Sequence, residues 1–158
     1  MNKGERISQF VHELVGGAGE ANDVTDVATH PFYRAYFQCW NEQRYYEAHD
    51  VLEQVWLRTK SDDDGFLKGL IQAAGAFVHL QKNYLHPTHP KHSRRLRPAV
   101  RLFLLAEKSL QPYAPRRHAL DVAAFLALLK DQREKVERSS YRKNPWSPAK
   151  APKLRLDG

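Results

Sequence analysis

Tyr45-Tyr46-Glu47-Ala48-His49-Asp50-Val51-Leu52-Glu53-Gln54-Val55-Trp56 is the stretch that decides the fold. A turn at Ser61-Asp62-Asp63-Asp64 follows. Beyond it comes a long apolar run through Gly69-Leu70-Ile71-Gln72-Ala73-Ala74 to His79-Leu80-Gln81. In the first segment Ala48, Val51, Leu52, Val55 and Trp56 fall on one face at the helical period. In the second, Phe66, Leu70, Ala73, Ala74, Phe77 and Leu80 do the same. The serine and the acids between them suit a helix start, where carboxylates oppose the helix dipole. Two helices joined by so short a turn make an antiparallel hairpin. Carboxylates, imidazoles and an amide recur within these otherwise apolar segments, and buried polar groups are costly unless paired.

Working outward, Pro31 suits the first turn of a helix that carries Phe32, Tyr33, Tyr36, Phe37 and Trp40 inward. Asn83 offers a C-terminal cap to the long apolar helix. His86-Pro87-Thr88-His89-Pro90-Lys91-His92 reads as an exposed loop, since its prolines forbid regular helix. Pro98 opens a further helix over Ala99 to Leu110, ended by Pro112 and Pro115. Asp121 caps another from Val122 to about Val136. No segment alternates as a strand does. The fold class is therefore all-α, a compact bundle of four to five core helices built around the hairpin. Residues 1–28 read as a short helix (Ile7, Phe10, Val11, Leu14) and a linker broken at Gly16-Gly17-Ala18-Gly19. Residues 29–138 form the helical domain. Residues 139–158, with Pro145, Pro148 and Pro152, read as a flexible basic tail.

The chain of 158 residues is long enough to bury a core, and 42% apolar with 27% charged residues is ordinary for a globular protein. Its net charge of +7 sits largely in the tail. From Arg138 onward there are six basic residues and one acid, whereas residues 1–137 hold nineteen basic against seventeen acidic groups. Nucleic acid is therefore not an expected partner, although Arg94, Arg95 and Arg97 with the tail are the residues that would serve one. A lone Cys39 excludes an internal disulfide and suits a core thiol. Without a signal-type segment or an apolar run of spanning length, a cytoplasmic location and no membrane partner are expected. Abundant aromatics, including Trp40, Tyr36, Tyr45 and Tyr46, suggest a homodimer. Glycine-rich phosphate loops and serine-hydrolase elbows are absent.

The candidate site lies on the hairpin. His49 and Glu53 are one turn apart along one edge of their helix face, and Glu47 borders the other edge. Asp50 projects mostly away. On the following helix Gln72 and His79 nearly superimpose in projection, with only Gly75 and Ala76 between them on that stripe. In an antiparallel hairpin Glu53 meets the level of Gln72, and Glu47 or Tyr46 meets that of His79. Two readings stand beside each other. One is a small metal or proton-transfer site on facing helices. The other is a buried hydrogen-bond network that fixes helix register, and spacing alone favours it. His86, His89 and His92 form a weaker metal candidate, because Pro87 and Pro90 work against aligned rings.

These residues also carry a family resemblance. Phe37 and Asn41, then Tyr46-Glu47-Ala48-His49-Asp50, Leu52-Glu53 and Trp56, then Phe66-Leu67, Gly69-Leu70-Ile71-Gln72, Ala74 and His79 resemble the domain-of-unknown-function family 309. Its members are small all-helical proteins of bacteria and archaea. The match covers about residues 37–83, with a weaker continuation through Pro98-Ala99, Arg101-Leu102 and Asp121-Val122. Asp50 stands where many relatives carry a second glutamate, and the His/Pro loop at 84–95 is longer here. The resemblance implies a metal-dependent hydrolase of small, unspecified substrates. Carried over, its motif residues are Glu47, His49, Glu53, Gln72 and His79; in the enzyme reading a divalent metal is held by His49, Glu53 and His79, or by Glu47 in place of His79. Glu47, His49 and Glu53 are then the catalytic set, and Tyr46 and Gln72 the substrate contacts. A metal would lower the pKa of bound water, and a free carboxylate would act as base. The alternative is a non-enzymatic interaction module whose polar cluster is structural.

Overall fold

Capping and proline signals set most of the helix boundaries. The computed structural model describes residues 2–15, 26–58 and 61–157. Among these residues run α1 (Lys3–Val15), α2 (Pro31–Asn41), α3 (Tyr45–Arg58), α4 (Asp64–Leu85), α5 (Leu96–Leu110) and α6 (Val122–Arg138). A two-residue antiparallel pair, β1 (Arg116–Arg117) with β2 (Leu120–Asp121), closes the turn before α6. The fold is all-α, as the periodicity indicates. Pro31 opens α2, and the His30 ring accepts the Phe32 N–H at 3.1 Å. Asp121 caps α6 by accepting the Ala124 N–H at 2.9 Å.

Two expected caps are used differently. Ser61 accepts the Asp63 N–H at 3.2 Å and shapes the turn, but α4 starts only at Asp64. Asp63, at the capping position, spends its carboxylate on Arg117 at 2.7 Å and His118 at 2.8 Å instead. Charged partners outcompete a backbone amide here. At the other end α4 runs past Asn83 to Leu85, and the Asn83 amide donates to the Ser93 carbonyl at 3.0 Å. It ties the connection after α4 to the helix rather than ending the helix.

Each helix packs on its sequence neighbours: α3 on α2 and α4, α4 on α5, and α5 on α6. Gly69 lets α4 and α5 approach closely, since a Cβ there would meet Leu110 Cγ at 2.6 Å. The core centres on Trp40, fully buried and edge-on to Tyr45, Phe77 and Phe125 at ring separations of 5.3, 4.6 and 5.5 Å. Such edge-to-face pairs add to simple area burial. The Tyr36 hydroxyl donates to the Leu70 carbonyl at 2.6 Å and locks α2 to α4. Cys39 is a buried core thiol, and burial pushes its pKa up to about 12. Ile7 and Val11 seat α1 on the bundle. The expected glycine break at 16–19 lies outside the described residues.

The residues read as a flexible tail are part of the fold. Trp146 is only 2% exposed, and its indole N–H donates to the Tyr45 hydroxyl at 3.0 Å. Trp40 Nε1 donates to the Pro152 carbonyl at 3.0 Å. The Asn41 amide clamps the Leu154 backbone from both sides, donating at 2.8 Å and accepting at 2.7 Å. Prolines suppress helix here but not packing. The aromatics behind the expected dimer divide between core and surface. Trp40, Tyr36 and Tyr45 are fully buried, leaving only Tyr46 of that set exposed. Among the described residues no helix is long and apolar enough to cross a membrane.

Trp146→Ala should therefore destabilise the protein by about 3–5 kcal/mol, the usual cost of deleting a buried aromatic. A lowered urea midpoint at unchanged m-value checks this. An unmoved midpoint would return residues 144–156 to the status of a tail.

Candidate functional site

The hairpin register brings Tyr46 and His49 of α3 opposite Gly75, Val78 and His79 of α4. With Leu102 of α5 these residues line a hollow of about 200 Å³. The levels are those that an antiparallel pair requires. Gly75 serves a different neighbour from the one its spacing suggested: a Cβ there would meet Leu102 Cδ1 at 3.1 Å. The small side chain thus makes room for α5, and α5 supplies part of the wall.

His49 is oriented by an aspartate. Its Nδ1–H donates to Asp50 Oδ1 at 3.1 Å, which directs any lone pair of the ring to Nε2. Glu53 Oε2 stands 3.9 Å from Nε2, beyond hydrogen-bond range. The Tyr46 ring lies nearly parallel to the imidazole, with 6.4 Å between centroids. Lys3 of α1 reaches in at 3.8 Å from Asp50 and 3.6 Å from Glu53. Asp50 therefore belongs to the site. Helix projection alone aimed it outward, but an adjacent imidazole and a lysine from another helix turn it to use.

His79 is held in the opposite sense. Arg95 Nη1 donates to His79 Nδ1 at 3.0 Å, and Arg95 Nε donates to His92 Nδ1 at 2.7 Å. A guanidinium has no acceptor to offer. His79 Nδ1 must therefore present its lone pair, and in the neutral ring Nε2 carries the proton. Burial, then the cations Arg95, Lys82 and Arg101, push this imidazole down to about 4. The hollow thus has one imidazole held through Nδ1 by a carboxylate and, on the next helix, one held through Nδ1 by a guanidinium, which leaves opposite polarity at the two Nε2 atoms when both rings are neutral. Arg95 is the participant that sequence reasoning missed in this role. It sits in an irregular connection, where periodicity carries no information about neighbours.

The other expected site residues disperse. Gln72 Oε1 accepts from the Ser109 hydroxyl at 2.8 Å and ties α4 to α5, so it does not meet Glu53. Glu47 is half-buried on the α2 side, near enough to Cys39 to disfavour its thiolate. Among the described residues no group of three or more His, Cys, Asp or Glu is arranged to hold a metal ion. The donor chemistry agrees with the geometry. His79 could offer Nε2 to a metal only by moving its proton to Nδ1, against the Arg95 N–H already there. His49, Glu53 and His79 do not fit a metal as a set.

The loop histidines come closer together than the prolines suggested. His89 and His92 stack with centroids 4.4 Å apart, and His86 lies 5.3 Å from His92. The His89 Nδ1 accepts two backbone amides, from Lys91 and His92 at 3.0 and 3.2 Å. These rings organise the loop with the lone pairs that a metal would need. At the far end of α4, the Asp63, Arg117 and His118 cluster is likewise self-contained. Burial works against the Asp63 carboxylate, but hydrogen bonds from His118 and Arg117 hold its pKa below the usual range.

Comparison with known proteins agrees with the motif. Residues 33–88 match the model of DUF309, a domain of unknown function. That span contains α2, α3 and α4, and hence both histidines of the hollow, while Arg95 and Leu102 lie beyond it. No curated protein matches the chain, and no solved structure does.

Because folding lowers the pKa of His79 from 6.5 to about 4, the unfolded chain takes up a proton there first as pH falls. His79 thus contributes stability at neutral pH that is lost progressively between those two values. The urea midpoint should drop from about pH 7 to about pH 4.5. His79→Gln, which keeps an acceptor for Arg95, should make that drop smaller. An identical drop in the variant would show that His79 protonates freely in the folded protein.

Proposed function

The chain carries a DUF309 domain over residues 33–88, and on that premise we propose that its hollow is a hydrolytic site for a small acyl substrate, worked by His49 and His79 without a metal. The observation that carries this reading is that two imidazoles of one hollow are held through Nδ1 by partners of opposite charge, Asp50 and Arg95. His49, held by Asp50 through Nδ1, has a lone pair on Nε2. His79, held by Arg95 through Nδ1, has an N–H on Nε2. A base and a hydrogen-bond donor facing the same small volume are the two elements that acyl hydrolysis needs.

In this reading His49 Nε2 accepts a proton from a water molecule as the water oxygen attacks the acyl carbon. The Asp50 carboxylate stabilises the imidazolium that forms. The His79 Nε2–H donates to the carbonyl oxygen as negative charge gathers there. A ring whose pKa is pushed to about 4 stays neutral, so it supplies this bond without exchanging a proton in the working range. His49 then returns its proton to the leaving group as the tetrahedral intermediate collapses. Glu53 and Lys3 line the approach to His49. Val78 and Leu102 give the hollow an apolar wall, which strengthens the polar contacts made inside it. The non-enzymatic alternative, a network that fixes helix register, is supported at Gln72 and Ser109, which satisfy each other away from the hollow.

With a small aryl acetate as probe, His49→Gln should lower kcat/KM by about 10²-fold or more, the usual worth of a general base. Asp50→Asn should lower it as well by allowing the wrong tautomer. Dialysis against a chelator should leave the rate unchanged. A rate equal in wild type and His49→Gln, or one abolished by the chelator, would defeat the proposal.

A further inference from the structure

Arg95 spends two of its donors on neutral rings, His79 and His92, rather than on a carboxylate. Among the described residues its positive charge therefore has no carboxylate partner. The imbalance extends well beyond this side chain. From Gly65 to Ala106 the sequence contains seven basic residues and no Asp or Glu. Of these, Lys82 and Arg101 act with Arg95 on the electrostatics of His79. Lys82 Nζ lies 5.9 Å from the centre of the Tyr46 ring, which lines the hollow, and Arg101 directly precedes the hollow residue Leu102. Among the described residues none of the three cations forms an ion pair with a carboxylate. Lys82 and Arg95 are half-buried and Arg101 is exposed, and a half-buried cation is normally paired. Together the three cations that act on His79 constitute a field beside the hollow that concentrates anions.

Resting on the reading of the hollow as a substrate site, we infer that the substrate carries a terminal oxyanion, a carboxylate or a phosphate. Arg95 binds it through its remaining guanidinium donors, with Lys82 and Arg101 completing the positive rim. A guanidinium has five N–H groups in a planar fork suited to an oxyanion, and among the described residues two of them are engaged. The acidic residues of the site, Asp50 and Glu53, stand with Lys3 on the His49 side. Charge thus divides the hollow into an anion-accepting end at α5 and a proton-accepting end at α3. A substrate with one anionic end would be oriented along that division, its acyl carbon toward His49. An amphipathic dipolar pocket of this size admits a molecule of only a few heavy atoms beyond the oxyanion. Arg95 lies outside the DUF309 match, so this selectivity belongs to the part of the chain that follows it.

The test is a titration of the isotope-labelled full chain with inorganic phosphate and, separately, acetate at low salt, followed by NMR of the His and Arg side chains. Saturable shifts at His79 and Arg95 are expected, and methylammonium should produce none. Arg95→Gln should weaken binding by about tenfold or more. Arg101→Gln, at an exposed position, should weaken it by about threefold. Arg94→Gln should leave it unchanged. Preference for phosphate over acetate, or the reverse, identifies which oxyanion the site is built for. Non-saturating shifts spread equally over Arg94, Arg97 and Arg142 would overturn the inference. Hydrolysis of a neutral aryl acetate that depends on His49, with neither phosphate nor acetate bound at Arg95, would overturn it while sparing the hydrolytic reading. Phosphate binding without any esterase activity would do the opposite.

Discussion

The buried indole of Trp40 constrains more of this structure than any other group. Its ring is the surface on which α2, α3, α4 and α6 meet, through Tyr45, Phe77 and Phe125. Its N–H is the complication. An indole donor taken out of water must find an acceptor, or the burial costs most of what the ring contributes. The acceptor it finds is the Pro152 carbonyl, in chain without regular structure. That requirement draws residues 144–156 across the bundle. Trp146 and Asn41 then fix the path, one by filling a gap beside Tyr45, the other by imitating a neighbouring strand. The hairpin that carries the hollow is therefore held from both sides, by α5 and by a segment without regular structure.

The legible and illegible parts of the sequence divide along this same line. Wherever side chains face one core at a constant angular step, as in α2 to α6, the period reveals the helix and its inner face. His49, His79 and Tyr46 were readable as neighbours because a hairpin has one register and short turns leave no freedom in it. Asp50 was not, because its partner Lys3 arrives from a helix whose placement no period encodes. Arg95 was hidden for a similar reason: its two imidazole partners are three and sixteen residues away, on different kinds of backbone. Trp146 shows the commonest failure. Proline and lysine around it signal solvated chain, and a single buried aromatic leaves no pattern to set against that signal. Gln72 failed differently, having two helices within reach and choosing α5.

The two histidines of the hollow illustrate how tautomers, rather than charges, can differentiate chemically identical side chains. An acid next to one ring and a base next to the other fix opposite proton positions on opposite rings. Neither ring needs to be charged for the pair to be polarised. This arrangement also sets the stakes of substitution. Arg95 is worth more to the hollow than its exposed neighbours, since removing it would free His79 to adopt either tautomer and to take up a proton nearer neutrality.

The clasp between Trp40 and Pro152 joins positions 112 residues apart in the chain, and that separation has a temporal meaning. On the ribosome, α2, α3 and α4 emerge long before the segment that satisfies their central indole. Contacts so distant along the chain form late and carry a large loop-closure cost. A nascent bundle is thus complete in its helices yet unfinished at its centre, with an unpaired donor and the site beside Tyr45 that Trp146 will fill both open. Ribosome stalling or truncation upstream of residue 144 would leave that intermediate standing, apolar and wet at once, in the form most readily recognised by chaperones and proteases.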